Sequence, residues 1–174
     1  MITFRKADHN DIDKIAEIYD EIHTDEESGI VTIGWVRDIY PTIKTAEDSI
    51  IKGDMFVEEE DGIVVAAAKI NKEQVAEYID AEWEYEASDH EIMVLHTLVV
   101  STKIKGKGYG SKFVDFYEKY ALENGCRYLR MDTNVINSAA RNLYRKLGYK
   151  EVSIVDSFFN GIAGVRLVCL EKKL

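Results

Sequence analysis

Nine successive residues, Ile92 to Val100 ("IMVLHTLVV"), are apolar at nearly every position. A strand with one wet face alternates polar and apolar residues. One that does not alternate must be covered on both faces, which places it at the centre of a sheet. The stretch "VVSTKIKGKGYGSKF" runs on from it, with three glycines and four lysines between Val99 and Phe113. Phe113, Phe116, Tyr117 and Tyr120 then recur at helical spacing until Gly125 stops the pattern. Another strand signal, "CRYLRMDT", follows. A buried strand, a glycine-rich turn, an amphipathic helix and a further strand in succession make a strand–helix–strand core.

The remaining segments fit around that core. Ile2 to Lys6 reads as an opening strand, and "DHNDIDKIAEIYDEI" as a helix with Ile12, Ile15, Ala16 and Tyr19 on one face behind the capping candidates Asp8 and Asn10. Weaker helical signals between Gly34 and Ile51 are broken near Pro41, the only proline. "DMFVEEEDGIVVAAAKI" reads as a hairpin, because Asp-Gly favours the tight turn that joins two antiparallel strands. "QVAEYIDAEWEYE" is open between strand and irregular structure. "NSAARNLYRKLG" is a capped helix, with Asn137 at its start, Ala140, Leu143, Tyr144 and Leu147 on one face, and Gly148 as its stop. Two closing strands lie near Tyr149–Ile154 and Val165–Glu171. The expected whole is one domain over residues 1–174, a mixed α/β fold without a linker.

With 22 basic and 32 acidic residues the net charge is −10, which argues against nucleic acid, whose phosphates require clustered lysine and arginine. A small anion remains open as a ligand if an acidic protein gives it a locally basic, backbone-lined pocket, and the lysines after Val100 could supply one. Cys126 and Cys169 lie in apolar surroundings and show no metal-ligand spacing; small buried thiols are expected, a disulfide or nucleophile being the alternative. No metal is expected. No apolar run approaches the ~20 residues that span a bilayer, and "MITFRKADHND" lacks a signal-peptide core. No membrane partner is expected, and a reducing cytoplasm fits best.

Glycines between a strand and a helix often let backbone approach a phosphate. A P-loop would need a glycine at position 111, five after Gly106, and the dinucleotide fingerprint needs one there too. Ser111 breaks both patterns. What remains is "KGKGYGS" at a helix start, where the backbone N–H groups of Lys105, Gly106, Lys107, Gly108, Tyr109, Gly110 and Ser111 can converge on an anion at the positive end of the helix dipole. Gly108 and Gly110 would remove side chains that block the approach. The alternative is a glycine-rich turn with solvated lysines.

Here the chain resembles the GNAT superfamily of acyl-CoA-dependent N-acetyltransferases. "TLVVSTKIKGKGYG" is similar to the family's strand ending followed by [RQ]-x-x-G-x-[GA], with Lys105, Gly108 and Gly110 at the signature positions and lysine replacing the usual Arg or Gln. "NSAARNLYRKLGYKE" is similar to a second family motif, with Asn137, Ala140, Leu143, Tyr144, Gly148 and Tyr149 at matching positions. The two cover roughly residues 92 to 152. The resemblance implies a mixed sheet of about six or seven strands flanked by about four helices, with the fourth and fifth strands splayed at a bulge. It implies that the anion is the pyrophosphate of coenzyme A, and that the backbone of Leu98 and Val100 holds the pantetheine arm. A backbone N–H near Leu98 or Val99 would polarise the thioester carbonyl, and Asn137 would hydrogen-bond the arm.

The implied reaction is direct acetyl transfer from acetyl-CoA to a primary amine, without an acyl-enzyme; a non-catalytic acyl-CoA sensor or scaffold is the alternative. Tyr144 is the candidate acid for the CoA sulfur, against a reading as a core aromatic. His96 is the candidate base; strict alternation puts it on one face with Leu98 and Val100. Its alternative is a satisfied core histidine; Glu91 or another acidic residue lining the slot could serve as base instead, and the resemblance also allows no single essential base. By resemblance the acceptor enters near Glu21, Trp35, Asp38, Tyr40, Trp83, Phe158 and Phe159. Glu82, Glu84, Glu86, Asp89 and Glu91 around Trp83 read either as a solvated charge run or as a surface for a cationic amine such as a polyamine, an aminoglycoside or a lysine side chain; an amino-acid amine is equally open. The closing strands offer edges on which a second copy could pair as a homodimer.

Overall fold

The computed structural model describes residues 1–104 and 106–174, and it contains one seven-stranded sheet in the order β1-β2-β3-β4-β5-β7-β6. The strands are β1 (Ile2–Lys6), β2 (Met55–Glu60), β3 (Ile63–Asn71), β4 (Ile92–Val100), β5 (Tyr128–Asn134), β6 (Lys150–Phe159) and β7 (Ile162–Lys173). Four α-helices, α1 (Ile12–Glu27), α2 (Ile43–Ile51), α3 (Tyr109–Glu123) and α4 (Ser138–Lys146), flank it. Strand and helix numbers thus match the expected α/β architecture. β4 and β5 pair in parallel, with α3 as the crossover, and the other neighbours pair antiparallel.

Local chemistry explains most boundaries. Asp8 and Asp11 form a reciprocal capping box on a short 3₁₀ turn (His9–Asp11) that leads into α1. Asp61 and Gly62, at φ 54° and 82°, make the two-residue hairpin turn between β2 and β3. The segment left open between strand and irregular structure carries a 3₁₀ turn (Ala76–Asp80) and otherwise runs irregularly to a second one (Asp89–Glu91).

The sheet separates two sets of packed side chains. Phe113, Tyr117 and Ala121 of α3 and Tyr144 of α4 pack on Phe56, Met93, Leu95, Leu129 and Met131. Ile15, Ile18 and Ile22 of α1 pack with Ala46 of α2 on Met55, Val57, Ala67 and Val99 of the opposite face. On that same face Tyr78 and the partly buried Trp83 cover Ile92, Val94, Leu167 and Cys169. Both cysteines are free and buried, as expected of small thiols.

The centre of β4 departs from the expected alternation. Thr97 has φ 53°, and the register against β3 jumps from Lys69↔His96 to Ala67↔Val99. One extra residue is therefore inserted, and every side chain beyond it changes face. Leu98 and Val100 join Met93 and Leu95 on the α3/α4 face, while Val99 packs under α1. His96 lies across the sheet from Leu98 and Val100. The shared face expected from simple alternation is thus corrected by the bulge at Thr97.

Candidate active site

The parallel ladder between β4 and β5 runs from Ile92↔Tyr128 to Leu95↔Met131 and ends there. Beyond it the strands diverge, and a cleft of about 960 Å³ occupies the gap. Leu98, Val99 and Val100 line it from β4, Asn137, Ala140 and Tyr144 from the start and middle of α4, and Trp35, Tyr40 and Phe159 from loops and the end of β6.

At the mouth of the cleft the chain turns from Val100 into α3. Gly108 caps the helix at φ 70° and Gly106 stands at φ 81°, and a Cβ built on either meets no atom within 4 Å. A Cβ on Gly110 would lie 3.3 Å from Leu143 and 3.9 Å from Val100, so its absence lets α3 close onto the cleft wall. The first i→i−4 bond of α3 joins the Lys112 N–H to the Gly108 carbonyl. The N–H groups of Tyr109, Gly110 and Ser111 precede it and so have no acceptor within the helix; the stretch from Gly106 to Ser111 adjoins the cleft through Val100 and Thr102 and is not itself among the cleft-lining residues.

The lysines contribute less than the sequence suggested. Lys103 pairs with Glu17 at 2.8 Å and Glu21 at 3.1 Å, and Lys107 with Glu60 at 2.6 Å. Tyr109 donates its hydroxyl to the same Glu60 oxygen at 2.6 Å. These contacts fasten the loop to α1 and to the β2–β3 hairpin and leave the backbone as the main donor surface. Lys105 lies outside the described residues.

Glu21, expected beside the acceptor, is buried under this loop instead. Its Oε2 accepts the Ser101 hydroxyl at 2.7 Å and the Thr102 N–H at 3.0 Å. Trp83 is also away from the cleft: its ring lies under the Arg130 guanidinium at 4.2 Å, and its indole N–H donates to the Tyr78 carbonyl. Asp38 and Phe158 are not among the cleft-lining residues. Of the acidic run, Glu84 pairs with Lys150, Asp89 accepts from Gln74, and Glu91 closes a capping box with Ser88.

Trp35, Tyr40 and Phe159 do come together. The Tyr40 ring meets Trp35 edge-on at 6.1 Å and Phe159 at 5.3 Å. Its hydroxyl is hydrogen-bonded to Thr97 Oγ1, which latches the loop before α2 to the bulge. Burial pushes that phenol up to about 12, so it stays neutral.

Asn137 caps α4 by accepting the Ala140 N–H on Oδ1 at 3.1 Å, which leaves its Nδ2 protons for the cleft. Tyr144 packs edge-on against Tyr149, and its hydroxyl has no hydrogen-bond partner among the described residues. Burial first, and then the charge of Asp132, raise its pKa well above the usual phenol value, so it is a proton donor at neutral pH.

His96 contacts Asn71 Oδ1 through Nε2 at 2.9 Å. That oxygen also accepts the Glu73 N–H, and the Asn71 amide nitrogen donates to Asp54, so Nε2 of His96 carries the proton and Nδ1 the lone pair. Burial, assisted by Lys69, pushes the imidazole down to about 4, and it is neutral at physiological pH.

The sequence reading missed Asp132 of β5. It lines the cleft, accepts the Tyr78 hydroxyl on Oδ2 at 2.7 Å, and is pushed up to about 6 by burial. A charged residue next to the core positions Leu129 and Met131 was its only signal.

A helix start beside a gap between two parallel strands, with a neutral phenol at its wall, is the arrangement expected from the sequence for a group-transfer class of protein. The comparisons agree with that class. Residues 14–149 match the model of the acetyltransferase (GNAT) family, and the chain belongs to that family. It is 23% identical to a GNAT-family acetyltransferase from Streptococcus agalactiae, with a TM-score of 0.82 over 99% of this chain and 95% of that one. The yncA protein of Salmonella typhimurium, solved with its cofactor acetyl-CoA, is 20% identical, with a TM-score of 0.65 over 99% and 94% of the chains. An uncharacterized N-acetyltransferase of Methanocaldococcus jannaschii is 25% identical over 79 residues; the match covers 45% of this chain and about a third (35%) of that relative. Among the described residues no helix is long and apolar enough to cross a membrane.

Proposed function

We propose that the protein transfers an acetyl group from acetyl-CoA directly to a primary amine while both are bound. The observation that carries this reading is the open gap beyond Leu95↔Met131, lined by Leu98 and Val100 on one side and by Asn137 and Tyr144 on the other. The residues fit acetyl-CoA: Gly106 and Gly108 leave room for the pyrophosphate beside the N–H groups of Tyr109, Gly110 and Ser111. The exposed backbone edge of Leu98 and Val100 suits the pantetheine amides, and Asn137 Nδ2 can donate to the same arm. When bound, acetyl-CoA supplies an activated acyl carbon and a thiolate leaving group.

The chain's own residues would then act as follows. An N–H near Leu98 or Val99 stabilises negative charge on the carbonyl oxygen in a place that excludes water. Tyr144 keeps its proton until the sulfur departs and gives it up there. His96, neutral and with Nδ1 free, can accept a hydrogen bond on the acceptor side. The cysteines take no part: both are fully buried, and burial pushes the Cys169 thiol up to about 12. The decisive assay follows thiol release from acetyl-CoA across a panel of primary amines for wild type and Tyr144→Phe. Amine-dependent release, reduced ~100-fold or more in the variant with CoA affinity held within about twofold, supports the reading. Tight CoA binding without turnover of any amine would replace it with a non-catalytic acyl-CoA-binding role.

A further inference from the structure

We propose that Asp132 is the group that takes the proton of the attacking amine, and that the acceptor arrives as a primary ammonium on the face of the sheet opposite Tyr144. This rests on the acetyltransferase reading and names the missing half of its chemistry.

The placement follows from the sheet itself. The β4–β5 ladder stops at Leu95↔Met131, so His96 and Asp132 are the first residues on either side of the opening. Leu129 and Met131 pack in the α3/α4 core with Tyr144, so Asp132 points to the other face. There it meets Tyr78, whose hydroxyl occupies one carboxylate oxygen. Among the described residues Oδ1 has no partner, and no lysine or arginine forms an ion pair with Asp132. The groups that face it are Glu77 and Tyr78 from the 3₁₀ turn, Tyr40 from the loop before α2, His96 from β4 and Cys169 from β7, while Tyr144 of α4 feels its charge from across the gap. None of them is a cation at neutral pH, and the nearby cations are committed elsewhere, Lys69 to Glu73 and Arg130 to Gln74 and the Tyr85 carbonyl. A protonated amine is the complement this surface lacks, and the Trp35, Tyr40 and Phe159 rings beside it favour a cation further.

Of the two candidate bases at the opening, Asp132 is the better matched. His96 is held near 4, two units below the carboxyl of Asp132 near 6, and its Nε2 proton is committed to Asn71. The step balances as follows. The Asp132 carboxylate takes one proton from the ammonium, and the freed lone pair forms the C–N bond at the acyl carbon. The C–S bond breaks as Tyr144 gives its proton to sulfur, and the nitrogen's second proton returns to the tyrosinate. Asp132 then releases its proton to solvent, so each turnover yields amide, free thiol and one proton.

The test measures kcat/KM against pH for the full chain with acetyl-CoA and the best primary amine of the panel, in wild type, Asp132→Asn, Tyr78→Phe and His96→Gln. Wild type is expected to show an acidic limb near pH 6. Asp132→Asn loses that limb and ~100-fold or more of kcat, with acetyl-CoA affinity within about twofold. Tyr78→Phe removes a hydrogen bond that favours the carboxylate and moves the limb to higher pH, which tests the idea even if Asp132→Asn fails to fold. His96→Gln retains the limb and falls less than ~10-fold. A limb that persists in Asp132→Asn, or disappears in His96→Gln, overturns the assignment while leaving the acetyltransferase reading intact. A wild type that acetylates no amine overturns both.

Discussion

Replacing Glu58 by glutamine will make the protein's stability less dependent on pH, by an amount the fold sets. Glu58 lies in β2 between Phe4 of β1 and Ala66 of β3, is fully buried, and has no hydrogen-bond partner on either carboxylate oxygen. Burial pushes its carboxyl from 4.5 up to about 7; Lys112 opposes the rise and Glu60 adds to it. A raised folded-state pKa means that below about pH 4.5 the carboxyl is protonated in both states and the native state pays nothing. As pH rises towards 7 the unfolded chain ionises while the folded one resists, and stability falls; above 7 the loss is complete. The shift of about 2.5 units corresponds to a total of about 3.4 kcal/mol, of which about 2.5 kcal/mol develops between pH 5 and pH 8. Glutamine keeps the shape and cannot ionise. Subtracting variant from wild type cancels other titrating groups, including Asp132. Urea unfolding at pH 5 and pH 8 is expected to show Glu58→Gln gaining about 1 M in midpoint, relative to wild type, at the higher pH. An equal difference at both values would mean that Glu58 is not held neutral by burial, and the reasoning would fail.

Two further outcomes concern the cradle. Gly108→Glu is expected to fold, because a Cβ there meets no atom within 4 Å, with a strain cost of about 1–2 kcal/mol at φ 70°. It will lose acetyl-CoA binding at least ~100-fold by calorimetry, whereas Gly108→Ala, with the same strain and no carboxylate, will keep most of it; retained binding in the glutamate variant would contradict the pyrophosphate site. Glu21→Ala removes the acceptor of Ser101 Oγ and Thr102 N–H, so it loosens the loop that leads to the cradle. Its KM for acetyl-CoA is expected to rise roughly tenfold with kcat within about twofold, at a stability cost of about 1–3 kcal/mol; a fall in kcat alone would return Glu21 to the acceptor side.

What could be read from the sequence was whatever short-range pattern determines. The β4–turn–α3–β5–α4 order, the Asn137 cap and the Asp-Gly hairpin each follow from residues within a few positions of one another. The bulge was expected, yet its effect on His96 was not, because one inserted residue reverses every face beyond it and Thr97 carries no glycine-like mark. Asp132 was hidden by a related ambiguity. In β5, Tyr128, Arg130 and Asp132 alternate with Leu129 and Met131, which is how a strand with one face in water reads. Here that face is covered. Arg130 is buried over Trp83, and Asp132 is bound to Tyr78, both supplied by the stretch from Gln74 to Glu86 that carries no periodicity of its own. An irregular segment can bury two charges only if it brings partners for them: a carbonyl and an aromatic face for the guanidinium, a hydroxyl for the carboxylate. Both terminal nitrogens of the guanidinium have acceptors, Gln74 and the Tyr85 carbonyl, while its buried Nε has none among the described residues, and it does not line the cleft. The carboxylate is given one donor and lines the cleft, and it is that opening to the cleft, rather than an unpartnered atom as such, on which the role proposed for Asp132 rests.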